Sequence, residues 1–317
     1  MHPILFRIGN FYLATYGLMI ALGLSLGILV ALNRGKRVQI PTSAILDLVF
    51  YSVIGGVVGG RLLHIIVYFD EFLKSPLDVA FSRAGFVFLG SVIGAVAVAA
   101  YIIRRERLDF WKVMDVLITA LPLGHVFGRI GCFLAGCCYG RPLDPDGPFG
   151  FLGVRFPKGI EIGGDVIGGQ AWDEHVGAGL LPSTADFSLP VIPTQLIESS
   201  ANLIIFAVLL FLWTRRKFHG QIFLSYLILY GVERFLVEFL RGDTGRGFFL
   251  GLSTSQILTL GAIVFAGVFW STLKRRKPVG NEPLGVAPVL SKTSTAPSTP
   301  DASNPPRVNK KKNRKNG

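Results

Sequence analysis

Seven apolar stretches, each close to the length of a membrane-crossing helix, constrain this chain more than any other feature. A helix needs about 20 apolar residues to cross the hydrocarbon. Runs near that length cover Tyr12 to Leu32, Ile45 to Phe69, Phe86 to Ile103, Val113 to Ala135, Leu196 to Trp213, Ile222 to Leu240 and Thr254 to Leu273. Only 16% of the residues are charged, whereas soluble domains average about 25%, so the principal solvent of this chain is lipid. In lipid the backbone must satisfy its own hydrogen bonds, which leaves helices or closed barrels, and runs of this length select helices. The expected fold is an all-α polytopic membrane protein of about seven transmembrane helices. The 317 residues could hold two soluble domains, but the runs tie most of residues 1–277 into one bundle.

Charge placement orients the bundle. The net charge of +12 invites a nucleic-acid reading, but the cations cluster at the ends of apolar runs and in the C-terminal tail, so no nucleic-acid partner is expected. Arg34/Lys36/Arg37, Arg104/Arg105/Arg107, Arg215/Arg216/Lys217 and Lys274/Arg275/Arg276/Lys277 follow the first, third, fifth and seventh runs, and Asp70-Glu71 follows the second. Positive residues mark the cytoplasmic side, so the N-terminus is expected outside and the C-terminus inside, which requires an odd number of crossings. Met1-His2-Pro3 lacks the basic start of a cleavable signal, and the first run is expected to stay as a helix.

Two segments differ from the rest. From Tyr139 to Val191 the chain is rich in Gly, Pro and Asp, an external loop or small cap with β-like pieces such as Phe151 to Phe156. Residues 278–317 are dominated by Pro, Ser, Thr, Lys and Asn and read as a disordered basic cytoplasmic tail resting on anionic headgroups. No internal repeat is evident.

Ionisable groups inside apolar runs are costly, so each is a candidate functional position. These are Arg61 and His64 in the second run, Asp115, His125 and Arg129 in the fourth, Glu198 in the fifth, and Glu233, Arg234 and Glu238 in the sixth. His125, Arg129, Cys132 and Gly136 recur at steps of four, three and four, which places them on one helix face. Arg234 and Glu238, four apart, can pair. Arg129 has no carboxylate four residues away, so a ligand or another helix must answer its charge, and its planar fork suits a phosphate. His64 in mid-helix reads most simply as bonding a carbonyl, and Arg234 with Glu238 reads equally as a structural ion pair.

The three cysteines, Cys132, Cys137 and Cys138, fall in one short stretch. A metal site drawn from them with His125 lacks a CxxC pair, and a vicinal disulfide would be strained. Small thiols filling space beside glycines is the favoured reading, and no metal site is expected.

Several pieces, in order, resemble the prolipoprotein diacylglyceryl transferase family from about residue 10 to about residue 273. They are Tyr16-Gly17-Leu18-Met19, Gly59-Gly60-Arg61, Gly128-Arg129-Ile130-Gly131-Cys132-Phe133 with Gly140-Arg141-Pro142, and Pro193-Thr194-Gln195-Leu196-Ile197-Glu198. Tyr230-Gly231-Val232-Glu233-Arg234-Phe235-Leu236-Val237-Glu238-Phe239-Leu240-Arg241 and Ser255-Gln256-Ile257-Leu258 complete the series. The resemblance implies a bacterial plasma-membrane enzyme that moves diacylglycerol from phosphatidylglycerol to the lipobox cysteine of prolipoprotein signal peptides. Glycerol phosphate leaves, a thioether forms, and neither nucleotide nor metal cofactor is needed. It implies that Arg129 contacts the phosphate, with Arg234 as a second cation, and that Tyr16, Tyr230, Glu198 and Glu238 line the site. Arg61, Arg141 and Arg241, the cations of the remaining pieces, join them as candidate substrate contacts.

The chemistry matches these residue types. Cations at a departing phosphate lower the barrier electrostatically, and a base must take the thiol proton because thiolate is the nucleophile. One departure stands out. Where the family reads Ser-Phe-His-Gly-Gly, this chain has Val87-Phe88-Leu89-Gly90-Ser91, and Leu89 transfers no protons. Cys132 and Cys137 stand at the family's Asn and Glu in the arginine motif. His125, on the Arg129 face, is expected to supply the missing imidazole, so the catalytic candidates are His125, Arg129, Arg234 and Glu238. The alternatives are a non-catalytic homologue that binds lipid or signal peptide, and a small-molecule transporter, against which the odd number of spans and the lack of repeat symmetry weigh.

Overall fold

The computed structural model describes residues 2–279 apart from 10, 82–86, 163–164, 243–247, 250, 277 and 278. The chain divides after Glu282 into two units, the second lying outside the described residues, as does the expected tail apart from Val279. Long helices are α1 (Thr15–Arg37), α2 (Thr42–Val67), α5 (Phe88–Arg105), α6 (Phe110–Ala135), α8 (Thr194–Arg215), α9 (Gln221–Val237) and α10 (Thr254–Arg276). They correspond one to one with the seven apolar runs. Six are long and apolar enough to cross a membrane. The remaining one, α9, has 17 residues and is extended by a 3₁₀ turn, Glu238–Leu240.

The shorter elements are α3 (Phe69–Lys74), α4 (Pro76–Phe81), α7 (Gln170–Gly177) and three antiparallel hairpins. These hairpins are β1 (Ile4–Ile8) with β2 (Phe11–Ala14), β3 (Ile160–Ile162) with β4 (Asp165–Ile167), and β5 (Phe248–Phe249) with β6 (Leu252–Ser253). The first was not expected, since the apolar run begins inside β2. Gly9, at φ +61°, supplies the turn that folds Ile4–Ile8 back on it.

Apolar side chains cover the outside of the long helices, Leu29, Phe50, Ile66, Ile93, Ile204 and Val264 among them, as lipid contact requires. Within the bundle, small residues set the spacing. The α2–α5 contact is built on Gly55 and Gly59 against Gly90 and Gly94. A Cβ on Gly59 would meet the Gly90 carbonyl oxygen, and one on Gly94 the Gly55 carbonyl oxygen. On the other side of α1, Gly23 packs against Phe127 and Gly124 of α6. Helix α6 begins where Asp109 accepts from the Trp111 and Lys112 amides at 3.0 and 3.1 Å.

Asp115, almost wholly buried, accepts from the amides of Gly220 at 2.8 Å and Phe223 at 2.9 Å. It therefore caps the N-terminus of α9 from a neighbouring helix, a structural task for a residue that the sequence marks as a functional candidate. His64 lies against the Tyr68 ring at 4.7 Å, and its buried Nδ1 has no hydrogen-bond partner among the described residues, in place of the expected carbonyl bond.

The segment between α6 and α8 folds around a small core of Tyr139, Phe156, Ala171 and Val191. Where β-like pieces were expected, Gly150–Leu152 forms a 3₁₀ turn and Val154 bridges Val191. Tyr139 donates to Glu174 at 2.6 Å, and Trp172 Nε1 to the Ala185 carbonyl at 2.6 Å. The Gly140–Arg241 bridge ties the start of this cap to the end of the 3₁₀ turn after α9.

Candidate active site

Three helices bring their ionisable residues to one place. On α6, Arg129 follows His125 by one turn, and its Nη2 lies 2.8 Å from Glu198 Oε2 in the first turns of α8. Another helix thus answers the charge that its own helix leaves open. Glu198 is 1% exposed, whereas the Arg129 side chain keeps 21% of its surface open. On the far side of Glu198, Arg241 Nη1 lies 3.8 Å from Oε1. Neither Glu198 oxygen makes an aligned hydrogen bond among the described residues, so the carboxylate is held by charge between two guanidiniums. Buried ions of this kind persist only when paired.

The second pair lies along α9 and its 3₁₀ extension. Arg234 Nη2 meets Glu238 Oε2 at 2.9 Å, while Arg234 Nη1 is buried with no hydrogen-bond partner among the described residues. Glu233, one residue before, has both carboxylate oxygens buried and without a hydrogen-bond partner there. It lies within electrostatic reach of Glu198, Arg129 and Arg234. Glu233, an intramembrane carboxylate on the sequence alone, joins the site through Arg129 of α6 and Glu198 of α8.

Aromatic rings frame the inner side. Tyr226 and Tyr230 stack at 5.3 Å, and the His125 ring lies 5.1 Å from Tyr230. His125 Nδ1 is 3.3 Å from Asn202 Oδ1 and 3.5 Å from the Tyr226 hydroxyl. From α1, Tyr16 packs where a Cβ on Gly131 would meet its ring, and it falls within electrostatic reach of Arg129 and the cysteines. Two candidates point elsewhere in the contacts described: Arg61 Nη1 donates to the Val79 carbonyl at 3.2 Å, and the Arg141 side chain is exposed. The backbone of Arg141 nevertheless pairs with Leu240 and Ile192, at the edge of the cluster.

The cysteines converge beside Arg129. Helix α6 ends at Gly136 in the left-handed conformation, φ +76°, and Cys138 also takes positive φ, +59°, which is uncommon for a residue with a Cβ. The two reversals fold Cys137 and Cys138 back over Cys132, so that the three Sγ atoms lie within 4.8 Å of one another. All three are free thiols. Hydrogen bonds from Cys132 and Cys137 hold the Cys138 thiol well below the usual thiol range, and Arg129 and Arg241 act in the same direction. Cys137, on the donating side, is pushed up. The first turn of α8 fixes this loop: Gln195 Nε2 donates to the Cys137 carbonyl at 2.7 Å and Thr194 Oγ1 to the Cys138 carbonyl at 2.9 Å. Both side chains are fully buried. A sequence pattern gives no sign of these two holding contacts, because their partners lie more than fifty residues away.

Comparison with known proteins gives the family. The family model described as "Prolipoprotein diacylglyceryl transferase" matches residues 3–272. A Clostridium tetani protein named phosphatidylglycerol--prolipoprotein diacylglyceryl transferase is 33% identical over 276 residues, covering 87% of this chain and 98% of the relative. A Xylella fastidiosa protein of the same name is 33% identical over 293 residues, covering 87% and 94%. A second form from Clostridium perfringens is 30% identical over 286 residues, covering 89% and 100%. With a match across nearly all of its membrane bundle, the chain belongs to the prolipoprotein diacylglyceryl transferase family.

Proposed function

We propose that this protein transfers the diacylglyceryl group of phosphatidylglycerol to the lipobox cysteine of prolipoprotein signal peptides, releasing glycerol phosphate. The observation that carries the reading is a pair of incompletely answered guanidiniums in an apolar bundle. Arg129 shares Glu198 with Arg241 and keeps part of its surface open, and Arg234 holds a buried nitrogen with no partner among the described residues. An anionic phosphodiester entering between them supplies the missing acceptor.

The roles follow from position. Arg129 and Arg234 grip the phosphate and stabilise the charge that grows as the ester oxygen leaves. Glu198 and Glu238 hold those guanidiniums in place, and Arg241 balances Glu198. Tyr16 from α1 and Tyr230 from α9 flank the cluster. Arg61 and Arg141 are assigned to outer contacts with headgroup or signal peptide. The imidazole that the family carries at position 89 has its counterpart in this cluster at His125, and an unchanged transfer rate in His125→Gln removes it from the chemistry. The exposed apolar faces admit acyl chains from the side. The basic ends of α1, α5, α8 and α10 lie in the cytoplasm, so the cap and the cysteines face outward, in a bacterial plasma membrane where signal peptides emerge.

The test is transfer of labelled diacylglyceryl from phosphatidylglycerol to a lipobox peptide by the purified chain, wild type beside Arg129→Ala. Loss of one such charge stabiliser costs on the order of 10²–10³ in rate. Equal rates in two well-folded preparations take Arg129 out of the mechanism, and inactivity of both removes the transferase reading.

A further inference from the structure

Beside Arg129 the chain gathers three thiols that the proposed transfer does not use. We infer that Cys132 and Cys138 form a reversible redox-modification site: a small peroxide joins them as a disulfide, and the joined pair leaves Arg129 more open to the lipid phosphate. The site stands on the cluster alone, and its effect on the phosphate rests on the transferase reading.

Geometry carries the pairing. The three Sγ atoms lie within 4.8 Å of one another, and all three are free thiols. A disulfide needs its sulfurs about 2 Å apart, and turning one thiol between staggered positions moves its sulfur by about 3 Å. Side-chain rotation therefore closes the gap without unfolding the loop. The backbone is already drawn together: the Cys137 amide donates to the Cys132 carbonyl at 3.1 Å, and the left-handed Gly136 and Cys138 turn the chain back. From α8, Thr194 and Gln195 hold the carbonyls of Cys138 and Cys137, so the thiols are neighbours before any oxidant arrives. Space filling needs no such clasp. A bond between Cys137 and Cys138 is strained, because adjacent α-carbons lie about 3.8 Å apart, closer than a relaxed disulfide sets them. The Cys137 Sγ is turned to the Cys132 carbonyl at 3.7 Å, which leaves Cys132 as the partner of Cys138.

Charge and access divide the roles. Cys138 is partly exposed and Cys132 is buried. Hydrogen bonds from Cys132 and Cys137, with Arg129 and Arg241 acting in the same direction, favour the anionic form of Cys138, and thiolate is the form that reacts with peroxides. Its electron pair attacks one oxygen of hydrogen peroxide. A sulfur–oxygen bond forms, the oxygen–oxygen bond breaks, and hydroxide leaves. The sulfur of Cys132 then attacks the sulfenic acid at Cys138. The sulfur–sulfur bond forms, the sulfur–oxygen bond breaks, and the departing oxygen takes the Cys132 proton and leaves as water. Two sulfurs have lost one electron each, and the peroxide has gained both. With the loop on the outer face, as proposed above, the cytoplasmic thiol pool does not undo the bond.

The consequence falls on Arg129. Cys132 follows it by three residues on α6, and Cys138 lies within its electrostatic reach. A sulfur anion there competes with the phosphodiester for the same guanidinium, whereas a disulfide carries no charge.

The experiment uses the full chain, purified in detergent with reductant and then freed of it. A slight excess of hydrogen peroxide should link Cys132 to Cys138, read by peptide mass after alkylation, with Cys137 still alkylated and a dithiol restoring all three thiols. The chain unfolded in dodecyl sulfate should lose thiols at least tenfold more slowly. Equal rates in folded and unfolded chain, a link to Cys137, or oxidation straight to sulfinic acid overturns the site. Cys132→Ser should stop at a sulfenic acid on Cys138 that a cyclic diketone traps, and trapping at Cys137 alone overturns Cys138 as the reacting thiol. Once the link has formed, the KM for phosphatidylglycerol should fall at least threefold, and the dithiol should bring it back. An unchanged or raised KM overturns the effect on Arg129. Transfer by a chain that forms no link ends the inference and leaves the transferase reading intact. A chain that links cleanly yet transfers nothing in either state ends the transferase reading and leaves the redox site.

Discussion

Asp115 offers the sharpest separation of structural from catalytic charge in this bundle. It is 1% exposed and accepts two amides at the start of α9, from Gly220 at 2.8 Å and Phe223 at 2.9 Å. Asp115→Ala strands both donors. Each buried orphan costs about 1–3 kcal/mol, so the loss is about 4 kcal/mol at mid-range. Asp115→Asn keeps one acceptor oxygen and strands one donor, so its loss is about half. At roughly 2–4 °C per kcal/mol for a chain of this size, thermal unfolding in detergent should fall by about 10 °C for alanine and about 5 °C for asparagine. At a temperature where both variants stay folded, diacylglyceryl transfer should remain within about threefold of wild type. Asp115 bonds the start of α9, while Tyr230 and Arg234 lie some two and three turns further on. Full stability together with lost transfer refutes the capping assignment and returns Asp115 to the chemistry, and equal losses in both variants refute the two-bond accounting.

Three further outcomes are expected. Gly59→Ala drives a Cβ into the Gly90 carbonyl at the α2–α5 contact and should cost about 1–3 kcal/mol from overpacking. Gly56→Ala meets only ordinary contact, its nearest atom 3.4 Å away, and should keep wild-type stability in the same thermal assay. In the cap, burial holds the His175 imidazole below its ordinary value, with Glu174 opposing weakly, and its Nδ1 accepts from the Leu189 amide at 3.3 Å. The neutral form is therefore the folded form. As pH falls through about 6.5 the unfolded chain takes the proton first, so cap stability is full above that pH and declines below it; amide exchange of residues 165–191 between pH 7.5 and 5.5 reads this, and His175→Gln should flatten the dependence.

The helices were legible because lipid leaves the backbone one economical solution, and every long helix lies on one of the seven runs. Ends shifted by a few residues where capping took over, as at Asp109, whose side chain starts α6 ahead of the apolar run. Spacing also gave the Arg234–Glu238 pair, since both belong to one helical stretch. What periodicity could not supply is contact between helices distant in sequence. Glu198 as the partner of Arg129, Asp115 as the cap of α9, and Thr194 and Gln195 under the cysteine loop all depend on packing. The convergence of the cysteines depends on two left-handed residues, and for Cys138 no residue type announces that conformation. The β1–β2 hairpin escaped for a related reason: its second strand is as apolar as the helix that follows.

Glu233 bears on how an anionic lipid approaches a cluster already crowded with charge. Arg129, Arg234 and Arg241 face Glu198, Glu233 and Glu238, so carboxylates already share the cluster when a phosphodiester arrives. Glu198 and Glu238 each hold a guanidinium. The oxygens of Glu233 are buried with no hydrogen-bond partner among the described residues, so Glu233→Gln breaks no bond and removes one anion from the path of another. At separations of roughly 10–15 Å and an effective dielectric near 20, that repulsion is about 1–1.5 kcal/mol. The KM for phosphatidylglycerol should then fall by about fivefold to tenfold with kcat little changed. Glu198→Gln must act in the opposite sense, because it removes the buried carboxylate that Arg129 and Arg241 share, and breaking a buried pair costs about 3–5 kcal/mol. Steady-state transfer with each variant separates the two carboxylates. A hundredfold loss of kcat in Glu233→Gln refutes the reasoning, since it makes the charge of Glu233 a participant in the reaction.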